Sequence, residues 1–187
     1  AEASVVLLCV PDAAIADAAA TIPPGPAVGH CSGATTLEPL GNHRAFSMHP
    51  LMTVPAGRPT DFGGVPCAVA GDPVAATLAR RLGMRPIEVA DADRAAYHAA
   101  ASIASNFLIT LEDAAARLGA TAGLIREDLL PIVRATVDNW AALGRDALTG
   151  PIARGDAATV AKHRRALAER TPDLLPLYDA MAEATRR

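Results

Sequence analysis

Apolar residues cluster in five short runs within residues 1–90, and Gly, Pro or charged residues bound these runs. Because the runs lack a regular alternation of polar and apolar positions, they are typical of strands buried on both faces of a parallel sheet. They predict strands at 4–10, 27–32, 44–49, 65–70 and 85–90. Helical segments are predicted between some of them, so residues 1–90 are expected to form an α/β domain.

From residue 91 onward the apolar positions follow a helical spacing, and no further strand is predicted. Helices are predicted over 93–118, over about 124–143, from Asp156 to about 170, and from 171 onward. The first two end at Gly119 and Gly144, as helices often do. The expected fold class is therefore α/β followed by all-α, with domains at 1–90 and 91–187.

The first long helix carries three polar residues in an otherwise apolar stretch. His98, Ser102 and Asn106 recur at steps of four among Ala, Ile, Leu and Phe, so they share one side of a helix that we expect to be buried nearly all round. Each buried polar group without a partner costs about 1–3 kcal/mol. The partners are either other protein groups or a bound ligand, and we favour the ligand because other loops are expected to converge here.

Three of the predicted strands end in residues that could bind a ligand or take part in catalysis. The segments are Val10-Pro11-Asp12, His30-Cys31-Ser32-Gly33 and Ser47-Met48-His49-Pro50. If these strands are parallel, their carboxyl ends open on one edge of the sheet, where ligands of doubly wound sheets bind. A histidine, a hydroxyl and an amide around such a crevice suit the polarisation of a carbonyl or imine, with histidine as proton donor.

Each of these features also has a purely structural explanation. Val-Pro-Asp after a strand can be a turn with a helix cap, and Ser32-Gly33 can be only a turn. His49 and His98 can be histidines whose hydrogen bonds are satisfied inside the protein. Asn139 can make a packing hydrogen bond, and Arg154 can pair with a neighbouring carboxylate. The coincidence of several such features, rather than any one, favours a functional site.

Composition narrows the class of protein. Hydrophobic residues make up 51% of the chain and aromatic residues 3%, which predicts a core of Ala, Val, Leu and Ile. A net charge of −3 without a Lys/Arg run argues against a nucleic-acid surface, and the apolar runs are too short to span a membrane. The chain does not open with a positively charged segment, so no signal peptide is predicted.

Three cysteines, Cys9, Cys31 and Cys67, are widely spaced in apolar runs and form no CxxC motif. They are therefore expected to be buried free thiols in a reducing cytoplasm, rather than disulfides or zinc ligands. No metal site is predicted.

The sequence resembles Rossmann-like proteins that carry the C-terminal domain of unknown function 2520. The matching segments are Leu7–Asp12, His30–Ala34, Ser47–Leu51, Tyr97–Ala100 with Ser105-Asn106, and Ala147–Asp156. This group is similar to pyrroline-5-carboxylate reductase, ketopantoate reductase, deazaflavin-dependent NADP reductases and the 6-phosphogluconate dehydrogenase group. The resemblance implies NADP or NAD on the sheet, a small keto acid or imine as substrate, and a homodimer formed through the helical domain.

The same resemblance assigns roles to residues. Val10, Pro11, Ser32 and Gly33 are expected at the nicotinamide end of the cofactor. His49-Pro50 lies where imine reductases have a Met-Pro facing the nicotinamide. His98, Ser102 and Asn106 occupy the steps where hydroxyacid and ketopantoate enzymes carry a Lys and then Asn, and the Lys is absent here. The expected substrate-binding residues are Asn139, Thr149 and Arg154, with Arg154 or an Arg of a second subunit holding a carboxylate.

Relatives begin with a strand, a G-x-G-x-x-G turn and a helix, which hold the cofactor's pyrophosphate. This sequence lacks that turn and opens near the fourth strand of the usual fold, so roughly a hundred residues of a usual domain are expected to be missing. We therefore expect weak NADP binding or none, and an exposed edge at strand 4–10 that a partner chain or a rearranged segment covers.

Two functions remain open from the sequence. The chain is either the substrate-binding and dimerisation part of an NAD(P)-dependent oxidoreductase, or a dimerisation or ligand-binding module without redox activity. Loss of NADPH oxidation on replacement of His98 would favour the first, and normal dimerisation without turnover the second.

Overall fold

The computed structural model of the chain describes residues 3–186. It contains one five-stranded sheet, ordered β1-β2-β3-β4-β5 as in the sequence. The strands are β1 Val5–Leu8, β2 Ala27–His30, β3 Arg44–Pro50, β4 Pro66–Gly71 and β5 Arg85–Glu88. All five predicted strands are confirmed.

The sheet is mostly parallel, but it contains one antiparallel pair. β1, β2 and β3 are parallel, β4 runs antiparallel to β3, and β5 is parallel to β4. The expected parallel arrangement is therefore confirmed for three of the four strand pairs, and the pair of β3 and β4 is the exception. The connection from β3 to β4, residues 51–65, contains no helix, and without a crossover helix the chain returns in the opposite direction.

Apolar side chains cover both faces of the sheet, as continuous apolar strands require. One face packs against α1, Ile15–Ala20, through a cluster that includes Leu8, Val28 and Leu40. The other packs against α2, Val74–Arg81, through a cluster that includes Phe46 and Cys67. Within residues 3–186 no strand pairs with the outer edge of β1, so a rearranged segment of the described chain does not cover that edge.

The predicted helix 93–118 consists of three parts. They are α3, Arg94–Ser102, a π-helical turn at Ile103–Phe107, and α4, Leu108–Ala120. The chain forms two compact units, 1–107 and 108–187, and their division falls inside this long helix. The predicted boundary at residue 91 instead marks the change from mixed α/β to helical structure.

The second unit is helical throughout its described part. Its helices after α4 are α5 Arg126–Leu143, α6 Gly150–Ala153, α7 Ala157–Arg170 and α8 Leu175–Arg186. Asp156 caps α7 by accepting a hydrogen bond from the backbone N–H of Thr159, as predicted. No helix among the described residues has the length and apolar character needed to cross a membrane.

Candidate functional site

A pocket of about 670 Å³ lies in the first compact unit, at the carboxyl end of β3. His49 and the loop after it form one wall, and α3 with the π-helical turn forms the other. His98, Ser102 and Asn106 all line this second wall. The structure thus brings together the four residues that the sequence suggests as catalytic, while their catalytic roles stay predictions.

His49 and Tyr97 meet inside this pocket. Nδ1 of His49 lies 2.7 Å from the hydroxyl oxygen of Tyr97, and the two rings are perpendicular. Burial lowers the pKa of His49, and the nearby imidazole of His98 lowers it further. Burial also raises the pKa of Tyr97. At neutral pH the contact therefore joins a neutral imidazole to a protonated phenol, a pair that can pass a proton in either direction.

The long helix is much less buried than its composition suggests. Arg94 is the buried residue of α3, whereas His98 and Asn106 are exposed, as are Ile103 and Phe107. The expectation of burial nearly all round is therefore wrong. Among the described residues, Arg94 is the one residue of α3 that is buried.

Gly33 permits the close approach of the two histidines. A Cβ atom at Gly33 would lie 2.7 Å from Nδ1 of His98 and 3.0 Å from Cε1 and Nε2 of His49. The first distance would require His98 to shift, and the second would require His49 to give by a few tenths of an ångström. Gly33 was expected at a cofactor, and it lies directly against the proposed catalytic imidazoles.

Ser32 and Asp12 hold the turn after β2 in place. The Ser32 hydroxyl donates to Oδ2 of Asp12 at 2.6 Å and accepts hydrogen bonds from the backbone N–H groups of Ala34 and Thr35. The bond from Ser32 is the main reason that the pKa of Asp12 is lowered. Asp12 makes no side-chain cap to α1, so the helix-cap explanation of Val-Pro-Asp does not hold, and the hydroxyl of Ser32 is already engaged within the protein.

Arg94 is the structural residue that sequence reasoning missed. Its side chain is 1% exposed and its guanidinium donates to the carbonyl oxygens of Ser32 and Gly33, to the hydroxyl of Ser47 and to Asp91. It therefore ties the carboxyl end of β2 and the middle of β3 to the start of α3. An Arg in the first turn of a helix is usually exposed, so no local signal in the sequence marks it.

Val10 and Pro11 lie at the carboxyl end of β1, beside the end of β2, because Leu8 pairs with His30 in the parallel ladder. Both are exposed. They form an exposed apolar segment at the end of β1, and their cofactor-binding roles stay predictions.

The predicted substrate-binding residues belong to the second compact unit. Asn139 is exposed on α5, Thr149 precedes α6, and Arg154 follows it and is exposed. The charge of Arg154 contributes to lowering the pKa of Asp156, behind the larger effect of hydrogen bonds from Thr159. The roles of all three stay predictions.

The described residues contain no group of three or more His, Cys, Asp or Glu that could hold a metal ion. The cysteines are free, but their burial differs from the prediction. Cys67 is buried and Cys31 partly so, whereas Cys9 is exposed, because it follows the last residue of an edge strand.

The domain of unknown function DUF2520 matches residues 65–185 of the chain. No curated protein matches the sequence. Among solved structures, a candidate NADP oxidoreductase from Bacteroides fragilis is similar with a TM-score of 0.84 and 21% identity, over 98% of this chain and 75% of that one. A protein from Thermotoga maritima has a TM-score of 0.79 and 25% identity, over 97% and 76%.

A third similar structure is a reductive aminase from Aspergillus terreus in complex with NADPH and ethyl levulinate. Its TM-score is 0.64 at 18% identity, over 98% of this chain and 74% of that one. At these identities the Bacteroides and Aspergillus structures establish the fold, a Rossmann-like sheet followed by a helical domain. They do not establish the reaction, which has to be argued from the residues of the pocket.

Proposed function

We propose that this chain, which belongs to the DUF2520 family, is the substrate-binding part of an NAD(P)-dependent reductase that acts on a small keto acid or imine. The observation that carries the proposal is the pocket at the end of β3. It gathers two imidazoles, a phenol, a hydroxyl and an amide in a space of about 670 Å³, which is the size of site that small-molecule ligands occupy.

The similar structures support the reaction class without deciding it. One is a candidate NADP oxidoreductase, and another binds NADPH together with a small keto ester. Transferred to this chain, these names favour NADP(H) as cofactor and a small carbonyl or imine compound as substrate. The pocket is compatible with such a substrate because its polar groups can hydrogen-bond one oxygen or nitrogen atom.

The strand ends fit one end of the cofactor. Val10 and Pro11 offer an exposed apolar segment at the end of β1, whereas Ser32 and Gly33 are buried and their contact with the cofactor stays a prediction. A nicotinamide held there would supply a hydride. The sequence has no glycine-rich turn for the pyrophosphate, so the 187-residue chain alone is expected to bind NADPH weakly or not at all. Calorimetric titration with NADPH checks this, and a micromolar affinity would contradict it.

The side chains of the pocket would bind and protonate the substrate. His98 is exposed to the pocket and acts as proton donor to the oxygen or nitrogen atom that gains negative charge. Tyr97, which is hydrogen-bonded to His49, is placed to assist. Ser102 and Asn106 line the same wall and orient the polar end of the substrate. Asn139, Thr149 and Arg154 belong to the second unit, and their roles in substrate binding, with Arg154 or an Arg of a second subunit on a carboxylate, stay predictions.

Oxidation of NADPH by the protein expressed from its whole reading frame tests the proposal. Small keto acids and cyclic imines serve as substrates, and absorbance of NADPH is followed. His98→Ala should lower kcat by about 100-fold or more, which is the contribution of a general acid. His163→Ala is the control, because His163 lies on α7 against Tyr178. No turnover with any substrate, or equal loss in both variants, would contradict the proposal.

A second candidate is a dimerisation module without redox activity, and the surface of α5 favours it. None of the 18 residues of α5 is buried, and Trp140 is 65% exposed. Ile132 and Leu143 add further exposed apolar area. Exposed apolar side chains gathered on one helix are typical of a protein interface, and we propose that a second copy of the chain covers them. We also propose a cytoplasmic protein, because its described thiols are free.

Sedimentation of the chain tests the dimer. Trp140→Glu should give monomers, because it introduces a charge into the proposed interface. Ala142→Glu introduces the same charge on another side of α5 and should leave dimers intact. A dimeric protein without NADPH oxidation would favour the module over the reductase.

A further inference from the structure

Two cysteines follow the ends of neighbouring parallel strands. The last residue pair in the ladder of β1 and β2 is Leu8 with His30, and the next residues are Cys9 and Cys31. Continuing the register by one step places the two cysteines opposite each other. Neighbouring strands are about 4.8 Å apart, which is within the range of about 4.4–6.8 Å between Cα atoms joined by a disulfide.

The two side chains also point to the same face of the sheet. Leu7 and Cys31 both pack against the apolar cluster on the α2 face. Cys9 lies two residues beyond Leu7, and residues two apart on a strand share a face. The two thiols also interact electrostatically, because Cys9 adds to the effect of burial in raising the pKa of the Cys31 thiol.

We propose that Cys9 and Cys31 form a reversible intramolecular disulfide when a hydroperoxide oxidises the protein. Cys9 is exposed and reacts first. With hydrogen peroxide, its thiolate attacks one oxygen atom, the O–O bond breaks to release one water, and the sulfur becomes a sulfenic acid. The Cys31 thiol then displaces a second water from that sulfur, so that the S–S bond forms and two thiols have lost two electrons to one peroxide.

The cysteines differ in burial, and this difference decides the order in which they react. Burial raises the pKa of Cys31 to about 12, so Cys31 reacts poorly with peroxide and takes part only in the second step, in which it loses its proton as it attacks the sulfenic sulfur of Cys9. Cys67 lies on β4, is fully buried, and has its pKa raised to about 11 by burial. It serves as an internal control. The disulfide would join the strand ends that carry Val10 and Ser32.

Peptide mapping of the oxidised chain tests the proposal without any variant. The first Lys or Arg of the sequence is Arg44, so trypsin leaves both cysteines in peptide 1–44, and Cys67 lies in peptide 45–80. The folded chain is treated with hydrogen peroxide, denatured, alkylated with iodoacetamide and digested. Peptide 1–44 should be lighter than its reduced form by two hydrogen atoms and carry no alkyl group.

The other peptide and the variants complete the test. Peptide 45–80 should remain alkylated at Cys67, and dithiothreitol added before alkylation should restore both alkyl groups of peptide 1–44. Cys31→Ser should oxidise at Cys9 to sulfinic acid, because the resolving thiol is gone. Unchanged alkylation of peptide 1–44, sulfinic acid at Cys9 in the original chain, or two chains joined through Cys9 would each overturn the proposal.

Discussion

Nδ1 of His49 lies 2.7 Å from the hydroxyl oxygen of Tyr97, and this contact joins the carboxyl end of β3 to α3 inside the candidate pocket. The next residue after His49 is Pro50, which keeps the backbone of His49 extended. The contact therefore depends on two rigid elements rather than on a loop. It gives the pocket a phenol whose position is fixed before any ligand enters.

Replacing Tyr97 with Phe should lower kcat by about 10–100-fold with little change in KM, because the hydroxyl assists proton transfer without binding the rest of the substrate. NADPH oxidation by the protein from its whole reading frame provides the measurement. Tyr178→Phe is a matched control, because it removes a similar contact, in which the hydroxyl oxygen of Tyr178 lies 3.0 Å from Nδ1 of His163. Equal effects of the two changes would remove Tyr97 from the proposed chemistry.

Replacing Gly33 with Ala should destabilise the chain by about 1–3 kcal/mol, the usual cost of overpacking. The added Cβ would lie 2.7 Å from His98 and 3.0 Å from His49, so both rings must move. Urea denaturation measures the loss, and the ring signals of His49 in NMR spectra report the movement.

Gly119→Ala is the control for Gly33. Its Cβ would meet Leu124 at an ordinary 3.5 Å, and Ala is favoured over Gly within a helix by about 0.5–1 kcal/mol. This variant should therefore be as stable as the original chain or more so. If Gly33→Ala behaved in the same way, the close approach of the histidines would not depend on glycine.

The strands of the sheet and the clustering of the histidines could be predicted from the sequence, and the physical reasons are clear. Continuous runs such as Val5–Val10 have no polar side to expose, so a strand covered on both faces is the simplest solution. The parallel direction of the first three strands then puts His49 at the same edge as Gly33. The step of four on a helix puts His98 on one side with Ser102.

Other features depend on tertiary contacts that no local pattern contains. Arg94 is buried because the carbonyl oxygens of Ser32 and Gly33 and the hydroxyl of Ser47 converge on it, and these groups are distant in sequence. The π-helical turn at Ile103–Phe107 is likewise unmarked by Gly or Pro. The exposure of α5, none of whose residues is buried, is opposite to what its apolar residues suggest.

Replacing Arg94 with Met should cost about 3 kcal/mol of stability. The buried carbonyl and hydroxyl groups around it would lose a charged donor, and each buried group left unpaired costs about 1–3 kcal/mol. Arg94→Lys keeps the charge but lacks the planar fork that reaches β2 and β3 together, so an intermediate loss is expected. Urea denaturation measures both variants.

The control for Arg94 is Arg80→Met, at an exposed position on α2, where a surface change should alter stability by no more than about 0.5 kcal/mol. Stability of Arg94→Met within that range would mean that the buried guanidinium contributes nothing to holding α3 against the sheet.

Stability should fall as the pH drops from about 7 to about 5, because the folded state keeps His30 neutral. The backbone N–H of Ser32 donates to Nδ1 of His30, so the ring proton is on Nε2, which donates to the carbonyl oxygen of Thr36 at 3.0 Å. Burial is the main cause of the lowered pKa of His30, and burial lowers the pKa of His49 as well. Below about pH 6.5 the unfolded chain therefore binds protons that the folded chain does not.

The sign follows from this difference in bound protons. Each such histidine adds a slope of at most about 1.4 kcal/mol per pH unit, with stability lost toward acid. The lowered pKa of Asp12 affects stability in a separate pH range, since its contribution is lost only as the pH falls below about 4.

Urea denaturation at pH values between about 5 and 7 measures the contribution of the histidines alone. His30→Gln can still donate to Thr36 but cannot titrate, so its stability should depend less on pH, and His49→Gln combined with it should flatten the dependence further. A double variant as sensitive to acid as the original chain would show that neither buried imidazole controls this part of the pH dependence.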